Sequence, residues 1–83
     1  MAKWARDQFF EGLREMLVET GVKEDDITDE ANLEDDLAMD SLDRVEALME
    51  IEDEFGVKIS DDDARELKTF GNVVDYIFEH QSG

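Results

Sequence analysis

The run Leu37-Ala38-Met39-Asp40-Ser41-Leu42-Asp43-Arg44-Val45-Glu46 contains a helix start, and the rest of the chain is read outward from it. Asp40 is a good N-cap, because its carboxylate can accept from backbone N–H groups that a helix start leaves unpaired. Asp43, at the third helical position, adds negative charge where the helix dipole favours it. Leu42, Val45, Leu48, Met49, Glu52 and Phe55 then keep the 3.6-residue rhythm, with Glu52 the one polar break. Gly56 supplies the stop. This spacing predicts a helix between Asp40 and Gly56. Ser41 falls in the first turn. There a phosphate ester on its hydroxyl would sit in the positive end of the dipole. Serine at a helix start is also ordinary capping chemistry, so the triplet Asp40-Ser41-Leu42 by itself is a weak signal.

On the N-terminal side, a periodic segment from about Trp4 to Glu19 places Phe10, Leu13 and Leu17 on one stripe, widened by Phe9 and Met16. Trp4 reads as a core or staple residue of that helix. Gly21 can take the left-handed conformation that ends it. Residues 20–40 form a long connection whose Ile27, Leu33 and Leu37 are spaced too widely for an amphipathic helix. These three are expected to plug into the core and pin the loop, with Thr28 or Asp29 placed to begin a single helical turn. A loop of this length in a small domain is often functional.

On the C-terminal side, Val57-Lys58-Ile59 is too short and too isolated to pair as a strand, and is expected to be a connector burying Val57 and Ile59. Ser60 or Asp61 caps a brief helix to about Leu67, burying Ala64 and Leu67. Thr69 caps a last helix to about His80, with Val73, Val74, Ile77 and Phe78 inward. The fold class is all-α: a small four-helix bundle of three longer helices and one short, with a long first loop, in a single domain over residues 1–83. His80 has no companion histidine or cysteine and reads as a solvated terminal residue.

Composition narrows the function classes. The chain has 25 acidic and 8 basic residues, a net charge of −17, and no cysteine. Such a chain repels nucleic acid and anionic lipid and attracts basic protein surfaces or divalent cations. Disorder is the alternative outcome of high charge, but 22 of the 83 residues are Leu, Ile, Val or Phe, above the roughly 20% at which collapse fails. No stretch approaches the roughly 20 apolar residues of a membrane span, and no leader-like apolar segment opens the chain. A cytoplasmic monomer is expected. Without cysteine there are no disulfides, thiolate metal sites or cysteine nucleophiles. A calcium-binding helical module is the main rival by composition. No register supplies the ligand positions of a calcium loop, however: from Asp36 the third position is Ala38, and from Asp61 the fifth is Arg65. No metal-ligand cluster, Gly-rich phosphate loop or Ser–His pairing marks an enzyme.

The stretch from Leu37 to Glu46, continued by Met49-Glu50-Ile51-Glu52-Asp53-Glu54-Phe55-Gly56-Val57-Lys58-Ile59 and by Val74-Asp75-Tyr76-Ile77, resembles the acyl carrier protein family. Gly21-Val22-Lys23 and Leu33-Glu34-Asp35-Asp36-Leu37 resemble that family's first loop, so the likeness spans roughly residues 10–80. It implies that Ser41 carries covalent 4′-phosphopantetheine, placed there by a holo-carrier synthase (a phosphopantetheinyl transferase) from coenzyme A. The arm's thiol would hold acyl groups as thioesters between the enzymes of fatty acid or related polyketide and lipid synthesis, the carrier itself being no enzyme. It also implies that acyl chains can fold back between the helices. Leu48, Ile51, Ile59 and Leu67 are then candidates for a sleeve, although core packing alone accounts for each. Two departures stand out. Ala38-Met39 occupies positions where the family commonly has glycine, and Ser60 one where it commonly has proline; both bear on which partners dock.

Asp40, Asp43, Glu46, Glu50, Glu52, Asp53 and Glu54 crowd one segment with Arg44 the only cation among them. Like charges three and four apart weaken a helix by a few tenths of a kcal/mol per pair, a cost that points to a surface kept negative. By resemblance, Asp40, Asp43, Glu46, Glu52 and Asp53 meet basic patches of ketosynthases, acyltransferases, reductases and the transferase, with Leu42 beside Ser41 and Met49 as apolar contacts. Arg44 has two readings, reaching the phosphodiester or pairing with Asp40 one turn back, and in either case it tempers the negative patch and selects partners. An adaptor role for the same fold, without acyl transfer, is the remaining alternative.

Overall fold

Four α-helices follow one another in the computed structural model, which describes residues 4–81; Met1–Lys3 and Ser82–Gly83 lie outside that range. They are α1 (Arg6–Glu19), α2 (Ser41–Phe55), α3 (Asp61–Glu66) and α4 (Phe70–His80), with one 3-10 turn at Glu24–Asp26 inside the first loop. The expected all-α architecture, three longer helices and one short, is the one observed. Among the described residues no strand forms, and the extended pairing is a lone antiparallel bridge between Asn32 and Thr69.

Helix α1 begins two residues later than its periodicity predicts. Ala5 has no side chain able to cap, and Gln8 instead folds back so that its Oε1 accepts the Ala5 N–H at 2.7 Å. Phe9, Leu13 and Leu17 are buried, while Phe10 and Met16 pack partly against the core. The helix ends at Gly21, whose φ of +110° lets Gly21 N–H reach the Val18 carbonyl and Val22 N–H the Leu17 carbonyl, the paired bonds of a Schellman stop.

The loop is as pinned as expected. Ile27, Leu33 and Leu37 are buried, joined by Ala31 and Met39. Its 3-10 turn falls at Glu24–Asp26, ahead of the expected start at Thr28 or Asp29, where there is only a Thr28 C=O to Ala31 N–H turn. Leu33 N–H donates to Lys68 O, Phe70 N–H to Ala31 O and Gly71 N–H to Asp29 O, all within 3.0 Å. These bonds sew the loop to the start of α4. Arg6 adds a second seam, donating to Asp29 of the loop and to Asp75 of α4. Those two hydrogen bonds, with Asp29 the stronger, raise the pKa of its guanidinium.

Helix α4 is capped by Thr69, whose Oγ1 accepts the Asn72 N–H while Asn72 Oδ1 accepts the Thr69 N–H. Its buried stripe is Phe70, Val73, Val74 and Ile77, an i, i+3, i+4, i+7 set packed mainly on α1. Phe78, expected inward, is 39% exposed, because its place one position beyond Ile77 turns it off the stripe. Ser60 caps α3, with its Oγ accepting from Asp63 N–H. Val57 and Leu67 are buried as expected, whereas Ile59 and Ala64 are only half-buried. Each fully buried aliphatic or aromatic side chain stabilises the fold by about 1.5–3 kcal/mol.

Candidate functional site

Asp40 and Asp43 cap the start of α2 reciprocally. Asp40 Oδ1 accepts the Asp43 N–H at 2.9 Å, and Asp43 Oδ2 accepts the Asp40 N–H at 3.4 Å. Capping is therefore complete without Ser41, which is the first residue of the helix and is exposed. Its own N–H and that of Leu42 find no acceptor among the described residues. A hydroxyl in solvent beside two unpaired N–H groups can bear a phosphodiester, whose oxygens would meet those donors and the helix dipole.

The helix presents two apolar faces, and the periodicity merged them. Leu42 and Met49, which the resemblance gives as partner contacts, and Val45, which the periodicity grouped with the core, are 65%, 59% and 54% exposed. The buried side runs through Ala47, Leu48, Ile51 and Phe55, with Ile51 the one fully buried residue. Leu42, Val45 and Met49 stand at i, i+3 and i+7, so they form an outward strip beginning next to Ser41, with exposed Glu46 and Asp53 on the same side. Val45 is the member of this strip that sequence reasoning placed in the core. Its signal was present in Ala47, Leu48 and Ile51, which already supply an inward face.

Two residues expected on the docking face are engaged elsewhere. Glu52 Oε2 accepts the Ile59 N–H at 2.8 Å, holding the connector after α2. Arg44 neither turns to the Ser41 hydroxyl nor pairs with Asp40. Its Nη1 meets Glu34 Oε1 at 2.8 Å, and its Nη2 donates to the Ala64 and Leu67 carbonyls at 3.2 and 3.1 Å. Those carbonyls end α3, where the Ala64 oxygen also accepts the Leu67 N–H at 3.2 Å and helix ends leave carbonyls short of donors. Residue 44 lies on the inward side of α2, so its charge goes to bracing α3 and the loop.

Beneath Arg44 is an apolar cavity of about 20 Å³ between α1, α2 and α4, bordered by Leu13, Leu48, Ile51 and Phe70 among others. Of the four sleeve candidates, Leu48 and Ile51 line it; Ile59 and Leu67 do not. His80 stacks on Tyr76 with ring centroids 4.0 Å apart. No group of three or more metal-ligating side chains exists among the described residues, and no helix there is long and apolar enough to cross a membrane.

The family model described as the phosphopantetheine attachment site matches residues 11–77. The acyl carrier protein of Rubrobacter xylanophilus is 40% identical over 78 residues, covering 93% of this chain and 96% of that one. A solved structure of the acyl carrier protein from Enterococcus faecalis superposes with a TM-score of 0.80 at 35% identity, covering 94% of this chain and all of that one. The chain belongs to the phosphopantetheine-attachment family, within its acyl carrier proteins, and its cofactor is covalent 4′-phosphopantetheine.

Proposed function

We propose that Ser41 is the attachment residue and that residues 1–83 act as one carrier domain, holding acyl intermediates as thioesters on the arm. The observation that carries this is the exposed Ser41 at the first position of α2, relieved of capping by Asp40 and flanked by unpaired N–H groups. In the loading step the Ser41 Oγ attacks the β-phosphorus of coenzyme A. A new O–P bond forms, the pyrophosphate bond breaks, adenosine 3′,5′-bisphosphate leaves, and the hydroxyl proton passes to a base on the transferase. This chain contributes the nucleophilic oxygen and the surface that the transferase grips. The arm supplies the thiol that a chain without cysteine lacks.

The docking surface is the Leu42–Val45–Met49 strip with Asp40, Asp43, Glu46 and Asp53 around it. An apolar centre with an acidic rim suits basic patches on transferases and acyl-processing enzymes, where charge speeds encounter and the strip sets the fit. The pathway is fatty acid synthesis or a related lipid or polyketide route, and the compartment the cytoplasm. Intact mass spectrometry after incubation with coenzyme A and a broad-specificity transferase tests the assignment. The wild type gains one phosphopantetheine and Ser41→Ala gains none; an increment that persists in Ser41→Ala overturns it. The control folds, because Asp40 keeps the cap.

A further inference from the structure

Helices α1 and α2 leave a groove of about 650 Å³ between them, whose apolar lining is Trp4, Gly12, Met16 and Phe55. Trp4 is 46% exposed, yet it is held in place. Gln81 bonds both its N–H and its carbonyl, and its ring leans on Phe9 and Phe55 with centroids 5.2 and 6.0 Å away. Gly12 lets the rings lie against the α1 backbone, since a Cβ there would stand 3.3 Å from Phe55 and 3.8 Å from Trp4. The result is a fixed aromatic surface half in water, of the kind that anchors protein contacts.

The sides of the groove are acidic. Glu15 and Glu19 of α1 line one, and Glu50, Asp53 and Glu54 of α2 the other. All five are exposed, and none has a cationic partner among the described residues. No lysine, arginine or histidine borders the groove among those residues either. Glu15 and Glu19 are four residues apart, as are Glu50 and Glu54, so each side carries carboxylates about 6 Å apart along its helix.

That charge selects the occupant. A second copy of a chain at −17 would bring more carboxylates, and nucleic acid or anionic lipid would be repelled. A small cation would leave the aromatic lining in water. A helix from a partner protein answers both features. Its apolar side chain packs on Trp4 and Phe55, while Lys or Arg one turn apart reach the carboxylates and the face of the indole. Ser41 begins α2 and Phe55 ends it, about 20 Å apart along the axis. Of the carboxylates around the Leu42–Val45–Met49 strip, only Asp53 is shared with this groove.

We propose that the α1–α2 groove around Trp4 is a second docking surface, separate from the strip beside Ser41, for a basic amphipathic helix of a partner protein. The test uses the full chain and a synthetic helical peptide of leucine and lysine, with its leucines on one face and lysines one turn apart beside them. Trp4 is the single tryptophan, so its emission reports on the groove directly. The peptide should shift that emission to the blue, saturably, and a peptide of the same composition with scattered leucines should bind more weakly. Glu15→Lys combined with Glu19→Lys should weaken binding about tenfold at low ionic strength. Asp25→Lys combined with Asp26→Lys changes net charge equally, away from the groove, and should weaken it by less than about twofold. Met49→Ser, on the strip, should leave affinity unchanged. The proposal is overturned if Trp4 emission does not respond, if the scattered peptide binds as well, or if either the Asp25/Asp26 pair or Met49→Ser costs as much as the Glu15/Glu19 pair. Emission that shifts with the chain's own concentration before peptide is added would assign the groove to a second copy, and would overturn it too.

Discussion

Ala38 holds φ at +55° three residues before Ser41, the one non-glycine residue with positive φ among those described. It stands at one of the two positions where acyl carrier proteins commonly have glycine. A left-handed conformation costs an alanine about 1–2 kcal/mol, partly offset by the larger entropy a glycine loses on folding. Ala38→Gly is therefore expected to stabilise the fold by about 0.5–1 kcal/mol, read as a higher urea midpoint with unchanged slope. The strain persists because Leu37 and Met39 on either side are buried and fix the backbone between them. Tyr76 is the second residue with a distinct signature. Burial raises its pKa above the ordinary value of 10.0, aided by the hydrogen bond to Asp63 and by the charges of Asp63 and Glu52. The unfolded chain loses that proton first, so the contribution to stability is complete below about pH 10 and is lost as pH climbs through the folded value. Tyrosinate absorbance reads this directly, since the chain has a single tyrosine. Its midpoint should lie above that of the denatured protein, and a midpoint equal to it would discount the Asp63 contact.

At the scale of elements, α4 and the loop approach so closely that only glycine fits between them. A Cβ at Gly71 would stand 2.7 Å from the Asp29 carbonyl oxygen. Gly71→Ala should cost about 1–3 kcal/mol, as overpacking typically does, and the loss should appear as a lower melting temperature. Helix α2 carries the functional prediction. Converting Glu46 and Asp53 to Lys should slow association with a basic-patched transferase by about tenfold at low ionic strength, and by less as salt is added. Most of the elements were legible in the sequence, because caps are local: Asp40, Ser60 and Thr69 each begin a helix, and Gly21 and Gly56 each end one. The faces of α2 were not. Leu42, Val45 and Met49 obey the same 3.6-residue rhythm whether they face a core or a partner, and only the tertiary arrangement separates the two. Arg44 was misread for a related reason. Its partners Glu34, Ala64 and Leu67 are 10 to 23 residues away, beyond the reach of helix-spacing rules.

For the molecule as a whole, the net charge of −17 sets the conditions of stability. Only Arg6, Arg14, Arg44 and Arg65 form ion pairs among the described residues, which leaves most carboxylates repelling one another. Added sodium chloride should raise the melting temperature steadily up to about 0.5 M as the Debye length shrinks to a few ångströms; a flat response would mean that the repulsion is already relieved in the fold. The overall topology matched its sequence expectation because charge, the long loop and the order of caps all pointed to one architecture. The contact between Trp4 and Gln81 was invisible beforehand, since it joins residues 77 positions apart. Trp4 N–H donates to Gln81 Oε1 at 2.9 Å, and Gln81 Nε2 returns a bond to the Trp4 carbonyl. The contact between Trp4 and Gln81, at the two limits of the described residues, makes this domain a candidate for circular permutation. If a short linker joins the present ends and new ones are opened at the exposed Thr20–Gly21 turn, α1 follows α4 directly along the chain. The most extensive helix pairing then becomes a local hairpin, and the rearranged polypeptide should reach its native state faster than the original order does.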